Sequence, residues 1–371
     1  MTDMDRLGGI CLDYVKCEGA FAAGIATRET VAGGPPSTDL SYAMPEARSA
    51  VVFALALDQR TIPDYLAKRD RLAYEAEYNR VNSISSGVAV KLAGFLKQRG
   101  FPAVPLAAND VYREDTPLGR FEMFPPVSLR YLAAASGVGS FGLSGNILDK
   151  THGAGIILSA VVTSAELPPT EPLSDEENYC DGCRLCLAAC ASNLMDPEEK
   201  TEVVLGKRTF SYSKRRSYLR CQYVCGGYTG LHASGKWSTW SPGRFPVPED
   251  DDAFLPLLLA GVQKYSRRPE GRGGRYHSLM DDKLYTTCGN CQIVCHPDPD
   301  ERKRRYQLLA RGGVVIQHPD GSLEAVPSEE ALRRLDAMDA DTRSIYDGDI
   351  TPSPDIQALA DHMRSLAKAG G

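Results

Sequence analysis

Two cysteine runs constrain this chain more than any other feature of its sequence. The first run, YCDGCRLCLAAC, has the spacing C-x2-C-x2-C-x3-C, and the second, CGNCQIVCHP, has the spacing C-x2-C-x3-C. Their seven cysteines are Cys180, Cys183, Cys186, Cys190, Cys288, Cys291 and Cys295. Closely spaced thiolates hold cubic [4Fe–4S] clusters, and the fourth cysteine of such a run ligates the other cluster in two-cluster proteins. The runs therefore predict two [4Fe–4S] clusters.

Two cubic clusters need eight thiolates, so one more ligand has to come from Cys221 or Cys225, which lie between the runs. The crossed pattern assigns Cys180, Cys183, Cys186 and Cys295 to one cluster. It assigns Cys190, Cys288, Cys291 and one of the middle pair to the other. Zinc is the main alternative, but a zinc site normally uses two C-x2-C pairs without additional cysteines. Disulfides are a weaker alternative still, and Cys11 and Cys17 are interpreted as small buried hydrophobic residues.

Length and composition predict an ordinary globular protein. The chain has 371 residues, of which 43% are hydrophobic and 24% charged, so it can bury a sizeable core and form about two domains. A net charge of -6 argues against general nucleic-acid binding, although a local basic patch such as SKRRSYLR is compatible with it. No apolar run is long enough to cross a membrane, and the first residues show no signal-peptide pattern. We expect a cytoplasmic protein without membrane association.

Periodicity predicts an α+β fold. Helices are expected at 4–18, 63–98 and 126–137, and strands at 21–27, 49–57, 101–108 and 153–164. The Pro- and acid-rich segment 166–178 marks a domain boundary, so domains are predicted at 1–168 and 169–310, with a long insertion at 226–287. The remainder, 311–371, is predicted to contain a hairpin at 314–326, a short helix and a polar tail. The G-x-G-x-x-G at 137–142 follows a helix, so it is not read as a dinucleotide fingerprint.

An ordered series of segments resembles the family that contains epoxyqueuosine reductase and the corrinoid-dependent reductive dehalogenases. The segments are GIAT, LSYAMPEARSAVVFAL, AEYNRV, PPVSLRYLAAASGVGSFG, THG with LSAVVTSAELPP, the two cysteine runs and LRCQY. The resemblance implies a nitroreductase-like domain that binds cobalamin over its sheet. It also implies a ferredoxin-like domain whose two [4Fe–4S] clusters supply the electrons. The LRCQY segment makes Cys221 the expected eighth ligand and leaves Cys225 free.

The resemblance also suggests individual site residues. Tyr78 matches a tyrosine of the family and is the first candidate proton donor, although a core position on the helix stripe is an equally good interpretation. Met123 stands where epoxyqueuosine reductase has a proton-donating Asp. Its neighbour Glu122 is the carboxylate next to that position and is therefore the second candidate. The segment 137–153, which we call the Gly-rich loop, contains five glycines, and its backbone can approach a ligand closely. The expected corrinoid contacts lie in this loop. They are Ser140, Phe141, Gly142, Ser144, Gly145, Asn146, His152 and Gly153.

The insertion 226–287 is predicted to close over the reactive face and to select the substrate. Both tryptophans of the protein lie in it without the periodicity of a core element. The residues predicted to line the substrate pocket are His232, Lys236, Trp237, Trp240 and Arg244. Rigid aromatic area suits a planar substrate, and the two cations could hold an anionic group.

Three functions are compatible with these features. The first is a cobalamin-dependent reductase of a small organic substrate, with reduced ferredoxin or flavodoxin as the electron donor. The second is the same machinery acting on a modified tRNA, as in epoxyqueuosine reductase. The third is a non-enzymatic dicluster electron carrier. Met123 and the acidic charge count against the second, and the basic SKRRSYLR segment counts for it.

Overall fold

The computed structural model describes residues 2–106, 112–115, 123–270 and 287–369. Its helices are α1 (Asp3–Cys17), α2 (Ile62–Leu66), α3 (Leu72–Gln98), α4 (Leu129–Ala135), α5 (Leu185–Ala188), α6 (Tyr218–Cys225), α7 (Phe254–Tyr265), α8 (Asn290–Ile293), α9 (Pro299–Ala310), α10 (Ser328–Asp336), α11 (Ala340–Asp347) and α12 (Pro354–Ala369). Its strands are β1 (Ala22–Thr27), β2 (Ser49–Ala56), β3 (Ala103–Leu106), β4 (Ser140–Phe141), β5 (Ile147–Leu148), β6 (Ile156–Thr163), β7 (Met195–Leu205), β8 (Arg208–Arg215), β9 (Val314–Gln317) and β10 (Leu323–Val326). The architecture is mixed α and β, while its division into a nitroreductase-like and a ferredoxin-like domain stays a prediction.

An antiparallel sheet with the strand order β1-β2-β6-β3 organises the N-terminal part. Its two inner strands are covered on both faces, which explains their nearly continuous apolar sequences. Val51 and Phe53 point into the core that includes α1 and α3, whereas Ala50 and Val52 point into the core that includes α4. Successive residues of a strand face opposite sides, so this alternation places one helical layer on each face of the sheet.

The expected elements of the N-terminal part are confirmed, with shifts of a few residues at their ends. The predicted helix at 63–98 is divided into α2 and α3. Lys68 lies between them in the left-handed region, with φ +59°, and a left-handed residue cannot continue a right-handed helix. Asp70 then accepts a hydrogen bond from the amide of Ala73 at 3.1 Å near the start of α3.

Residues 195–215 and the C-terminal segment differ from the sequence-based prediction. The basic stretch SKRRSYLR is divided between the end of β8 and the start of α6. The predicted polar tail contains α11 and α12. Ala360 of α12 is fully buried in a small core with Leu258 of α7, so the end of the chain covers the helix of the insertion.

Short helices carry the cysteine runs, and α9 attaches them to the rest of the fold. Arg305 of α9 is 2% exposed and donates to the carbonyl of Ile293 at 3.0 Å and to Oε1 of Gln59 at 2.9 Å. Ile293 belongs to α8, between the second cysteine run's ligands, and Gln59 follows strand β2. One buried guanidinium therefore links the second cysteine run to the sheet. Among the described helices, none combines the length and the apolarity that crossing a membrane requires.

Candidate electron-transfer and ligand site

The first thiol group consists of four cysteines around one small cavity. Cys180, Cys183 and Cys186 come from the first run and Cys295 from the second. The amide of Leu143 donates to Sγ of Cys180 at 3.3 Å, and the hydroxyl of Tyr179 lies 3.2 Å from Sγ of Cys295. Hydrogen bonds to cluster sulfurs tune the potential of iron–sulfur centres. The crossed arrangement of the two runs is thus present in the fold.

The second thiol group contains five cysteines. Cys190 interacts electrostatically with Cys221 and Cys288. Cys291 interacts with all three of these cysteines. Cys225 also belongs here, because it exchanges hydrogen bonds with Cys221 and Cys288. Cys221 and Cys225 are one turn apart on α6, which puts both thiols on the same face of the helix.

The donor chemistry of both groups fits [4Fe–4S] clusters, since each offers at least four thiols and amide or hydroxyl donors to their sulfurs. In the second group, the amide of Leu194 donates to Sγ of Cys190 at 3.4 Å, and the hydroxyl of Ser192 lies 3.3 Å from the same sulfur. All eleven cysteines are among the described residues. In the part of the chain that the structure describes, no three His, Cys, Asp or Glu side chains are arranged to hold a single metal ion.

One cavity, which we call the large cavity, is lined by residues of the sheet and of α6. It has a volume of about 500 Å³, a size typical of small-molecule sites. One wall comes from the end of the sheet where β3 ends and β6 begins, including Leu106 and Leu158. Arg215, Tyr218 and Gln292 also line the cavity. No cysteine is among its described lining residues, but Tyr218 begins α6, the helix that carries Cys221 and Cys225, and interacts electrostatically with Cys221.

The predicted proton donors have different outcomes. Tyr78 lines the large cavity, where burial raises the pKa of its phenol and a hydrogen bond from Asn82 opposes that shift. Glu122 lies outside the described residues. Its neighbour Met123 lines the cavity with φ +54°, in the left-handed region where residues other than Gly are uncommon. Such backbone conformations cluster at functional sites.

Only one of the eight predicted corrinoid contacts, Asn146, lines the large cavity. Its Nδ2 is buried and has no hydrogen-bond partner among the described residues, so a ligand in the cavity could accept from it. Gly142 and Ser144 instead border the first thiol group. The carbonyl of Gly145 accepts a hydrogen bond from Arg130 at 2.7 Å. The loop therefore lies between the first thiol group and the large cavity.

The other predicted corrinoid contacts take part in packing. Ser140 and Phe141 form β4, and Phe141 stacks on Tyr212 with ring centroids 5.0 Å apart. His152 is held by Asp149 at 2.8 Å. At Gly153, a Cβ atom would lie 2.4 Å from the carbonyl oxygen of Cys295, so only Gly allows this close approach of the second run. Their assignment to the cofactor is not supported by their positions.

The residues predicted to line a tryptophan-rich substrate pocket are not gathered at the large cavity. Trp237 and Trp240 are 2% and 5% exposed and belong to the main core. Nε1 of Trp240 donates to the carbonyl of Tyr65 at 3.0 Å. His232 stacks on Trp237 and, with Arg244, borders a separate cavity, whereas Lys236 is exposed. None of these five residues lines the large cavity.

Three residues of the large cavity were missed by sequence reasoning. Arg130 and Arg215 both donate to the hydroxyl of Tyr218, with a distance of 3.0 Å for Arg130. Burial would raise the pKa of Tyr218, but the two guanidiniums outweigh it and hold the pKa below its usual value. The available signal was the basic stretch SKRRSYLR, which contains Arg215 and Tyr218.

Comparisons with known proteins give related names. No protein-family model matches the chain. The epoxyqueuosine reductase of Atelocyanobacterium thalassa is 26% identical over 176 residues, 47% of this chain and 51% of that protein. The epoxyqueuosine reductase of Vibrio cholerae is 34% identical over 87 residues, 24% of this chain and 22% of that protein. The chain thus spans about half of the first relative's length and a smaller part of the second.

Two solved structures align with this chain at low similarity. The epoxyqueuosine reductase of Bacillus subtilis aligns with a TM-score of 0.43 and 17% identity, over 99% of this chain and 82% of that one. A reductive dehalogenase, described as B12-dependent, aligns with a TM-score of 0.39 and 15% identity, over 53% of this chain and 26% of that one. The names of the curated relatives confirm the resemblance to epoxyqueuosine reductase.

Proposed function

We propose that this chain is an iron–sulfur reductase of the epoxyqueuosine reductase type, in which two [4Fe–4S] clusters deliver single electrons to a corrinoid in the large cavity. The observation that carries the proposal is the shared wall between that cavity and α6. Tyr218 lines the cavity, and the same short helix presents Cys221 and Cys225 to the second thiol group. An electron on a cluster at the second thiol group would therefore be separated from a ligand in the cavity only by residues of α6.

The residues of the chain have separate tasks in this proposal. The first thiol group receives electrons from reduced ferredoxin or flavodoxin, and the second passes them to the cavity. A bound corrinoid supplies a cobalt centre that accepts electrons one at a time. The apolar side chains of β3 and β6 exclude water from one face, and the amide of Asn146 donates to the ligand's edge. Tyr78 provides a proton within the cavity.

The substrate is the part of the proposal with two candidates. The curated relatives favour an epoxyqueuosine-type substrate, which would make a modified tRNA the partner. Met123 favours a small organic substrate instead, because it lines the cavity at the position where epoxyqueuosine reductase has its acidic residue. A thioether cannot donate a proton, so tRNA modification by this chain would require another acid such as Tyr78.

The proposal is tested by corrinoid binding to protein reconstituted anaerobically with iron and sulfide. Visible spectra should show one bound corrinoid per chain. Leu158→Trp fills the cavity from β6 and should abolish that binding while the iron content is unchanged. Val90→Trp, at a 60% exposed position on α3, is the matched control and should bind as wild type does.

Two outcomes would count against the proposal. Wild-type protein that holds both clusters and binds no corrinoid would favour the dicluster electron carrier. Normal corrinoid binding by Leu158→Trp would place the ligand outside the large cavity. With corrinoid bound, turnover of an epoxyqueuosine-containing tRNA stem loop would then decide between the two substrate classes.

A further inference from the structure

A second cavity, of about 420 Å³, adjoins the large one and is lined by four arginines. They are Arg113, Arg130, Arg215 and Arg216, and we call this cavity the arginine chamber. The two cavities share the wall residues Met123, Pro125, Ser128, Arg130, Arg215 and Tyr218. No described residue that lines the chamber carries a carboxylate.

Two of these arginines are neutralised and two are not. Arg113 pairs with Asp115 at 2.6 Å, and Arg216 pairs with Asp196 at 3.0 Å. Arg130 and Arg215 have no carboxylate partner among the described residues. They donate instead to uncharged oxygens, which include the carbonyls of Gly145 for Arg130 and of Ser144 for Arg215.

The two arginines without a described carboxylate partner, Arg130 and Arg215, favour the binding of an anion in the chamber. Charged groups withdrawn from water are costly unless they are paired, and carbonyl oxygens orient a guanidinium without cancelling its charge. Guanidinium groups match the geometry of phosphate oxygens. The hydroxyls of Tyr131 and Tyr212 also belong to chamber residues; they are hydrogen-bonded to each other at 2.9 Å, which leaves one O–H to donate to a ligand.

We propose that the arginine chamber binds a phosphate ester of the ligand in the adjoining cavity, with Arg130 and Arg215 as its main contacts. The ester has two possible sources. One is the phosphodiester in the nucleotide tail of a corrinoid, and the other is a phosphate on the substrate. The choice between these two sources rests on the proposed function. The chamber and its arginines are features of the structure and do not depend on it.

The chamber is tested with phenyl phosphate as the probe, titrated calorimetrically into the cluster-containing protein. Arg130→Gln and Arg215→Gln should each weaken binding by roughly tenfold, which corresponds to about 1.4 kcal/mol. Arg60→Gln is the matched control, because this arginine is 90% exposed and pairs with Asp58 away from the chamber. Arg130→Lys keeps the charge and should retain part of the affinity, which guards against a variant that simply misfolds.

Lack of phenyl phosphate binding by the wild type would overturn the proposal, as would equal affinity in wild type and both Gln variants. Corrinoids then identify the source. If Arg130→Gln weakens cobalamin but not cobinamide, which lacks the nucleotide tail, the phosphate is the corrinoid's. If it weakens phenyl phosphate alone, the phosphate belongs to the substrate. A wild type that binds phenyl phosphate and no corrinoid would support the chamber and contradict only the proposed function.

Discussion

Cys225 is the residue whose position changes the interpretation of the second thiol group. Its Sγ lies 3.4 Å from that of Cys221, and it also hydrogen-bonds to Cys288. Five thiols therefore compete for the four positions of a cubic cluster. The LRCQY segment favours Cys221 as the ligand, and Cys225 would then lie beside the cluster as a free thiol.

The assignment predicts different behaviour for two alanine variants. Cys221→Ala should lower the iron content from about eight to about four per chain, because it removes one ligand of one [4Fe–4S] cluster. Cys225→Ala should keep all the iron. Iron and acid-labile sulfide analysis after anaerobic reconstitution provides the measurement, and iron loss in Cys225→Ala alone would exchange the two roles.

Trp237 and Trp240 contribute to stability according to their burial. The double variant Trp237→Ala/Trp240→Ala should lower the free energy of unfolding by several kcal/mol, since a buried Trp→Ala change costs about 3–5 kcal/mol. Trp240→Phe should cost less, about 1–3 kcal/mol, because it removes the hydrogen bond to Tyr65 but only part of the buried ring volume. Thermal midpoints of the cluster-containing protein measure both effects. A wild-type midpoint together with lost ligand binding in the double variant would restore the substrate-pocket interpretation.

Among the helices, α9 has the clearest anchoring role. Glu301 pairs with the buried Arg305 at 2.8 Å, and Arg305 links α8 to the residues that follow β2. Hydrogen bonding from Arg304 and Arg305 lowers the pKa of Glu301 to about 2, while burial opposes this shift. A lowered pKa means that this carboxylate stabilises the fold at pH values above its unfolded pKa.

Glu301→Gln should therefore destabilise the protein by about 1.5–3 kcal/mol, the range for a hydrogen bond to a charged group. The loss should be the same at pH 6 and pH 8, because Glu301 is ionised at both. It should shrink only as the pH falls from about 4.5 toward about 2. Glu329→Gln, on the exposed face of α10, is the control and should leave the thermal midpoint unchanged. A loss that varies between pH 6 and pH 8 would point to another titrating group.

At the scale of the whole molecule, the two thiol groups, the large cavity and the arginine chamber follow one another. The Gly-rich loop connects them, since Leu143 contacts the first thiol group, Asn146 lines the large cavity and the Ser144 carbonyl holds Arg215. This succession suits a path along which electrons enter at one end and meet the ligand at the other.

The proposed electron path requires both clusters. Reconstituted protein should contain about eight iron and about eight sulfide per chain, and its visible absorption should bleach on exposure to oxygen. Elemental analysis is the measurement. One or two zinc ions with no iron would contradict the electron-transfer interpretation for the entire molecule.

The sequence by itself determined the features that depend on short-range spacing. The crossed arrangement of cysteines follows from gaps of two and three residues. The inner strands follow from apolar runs such as SAVVFALA, because a strand covered on both faces needs apolar residues throughout.

Only the tertiary structure decided which residues meet across long separations. Arg130 and Tyr218 are 88 residues apart, and Trp240 and Tyr65 are 175 residues apart. No local pattern encodes these contacts, because they depend on how the β7–β8 hairpin and the insertion pack against the sheet. The same packing buried two tryptophans that lie in a Ser- and Gly-rich segment and placed two arginines of the fold beside a cavity without a compensating carboxylate among the described residues.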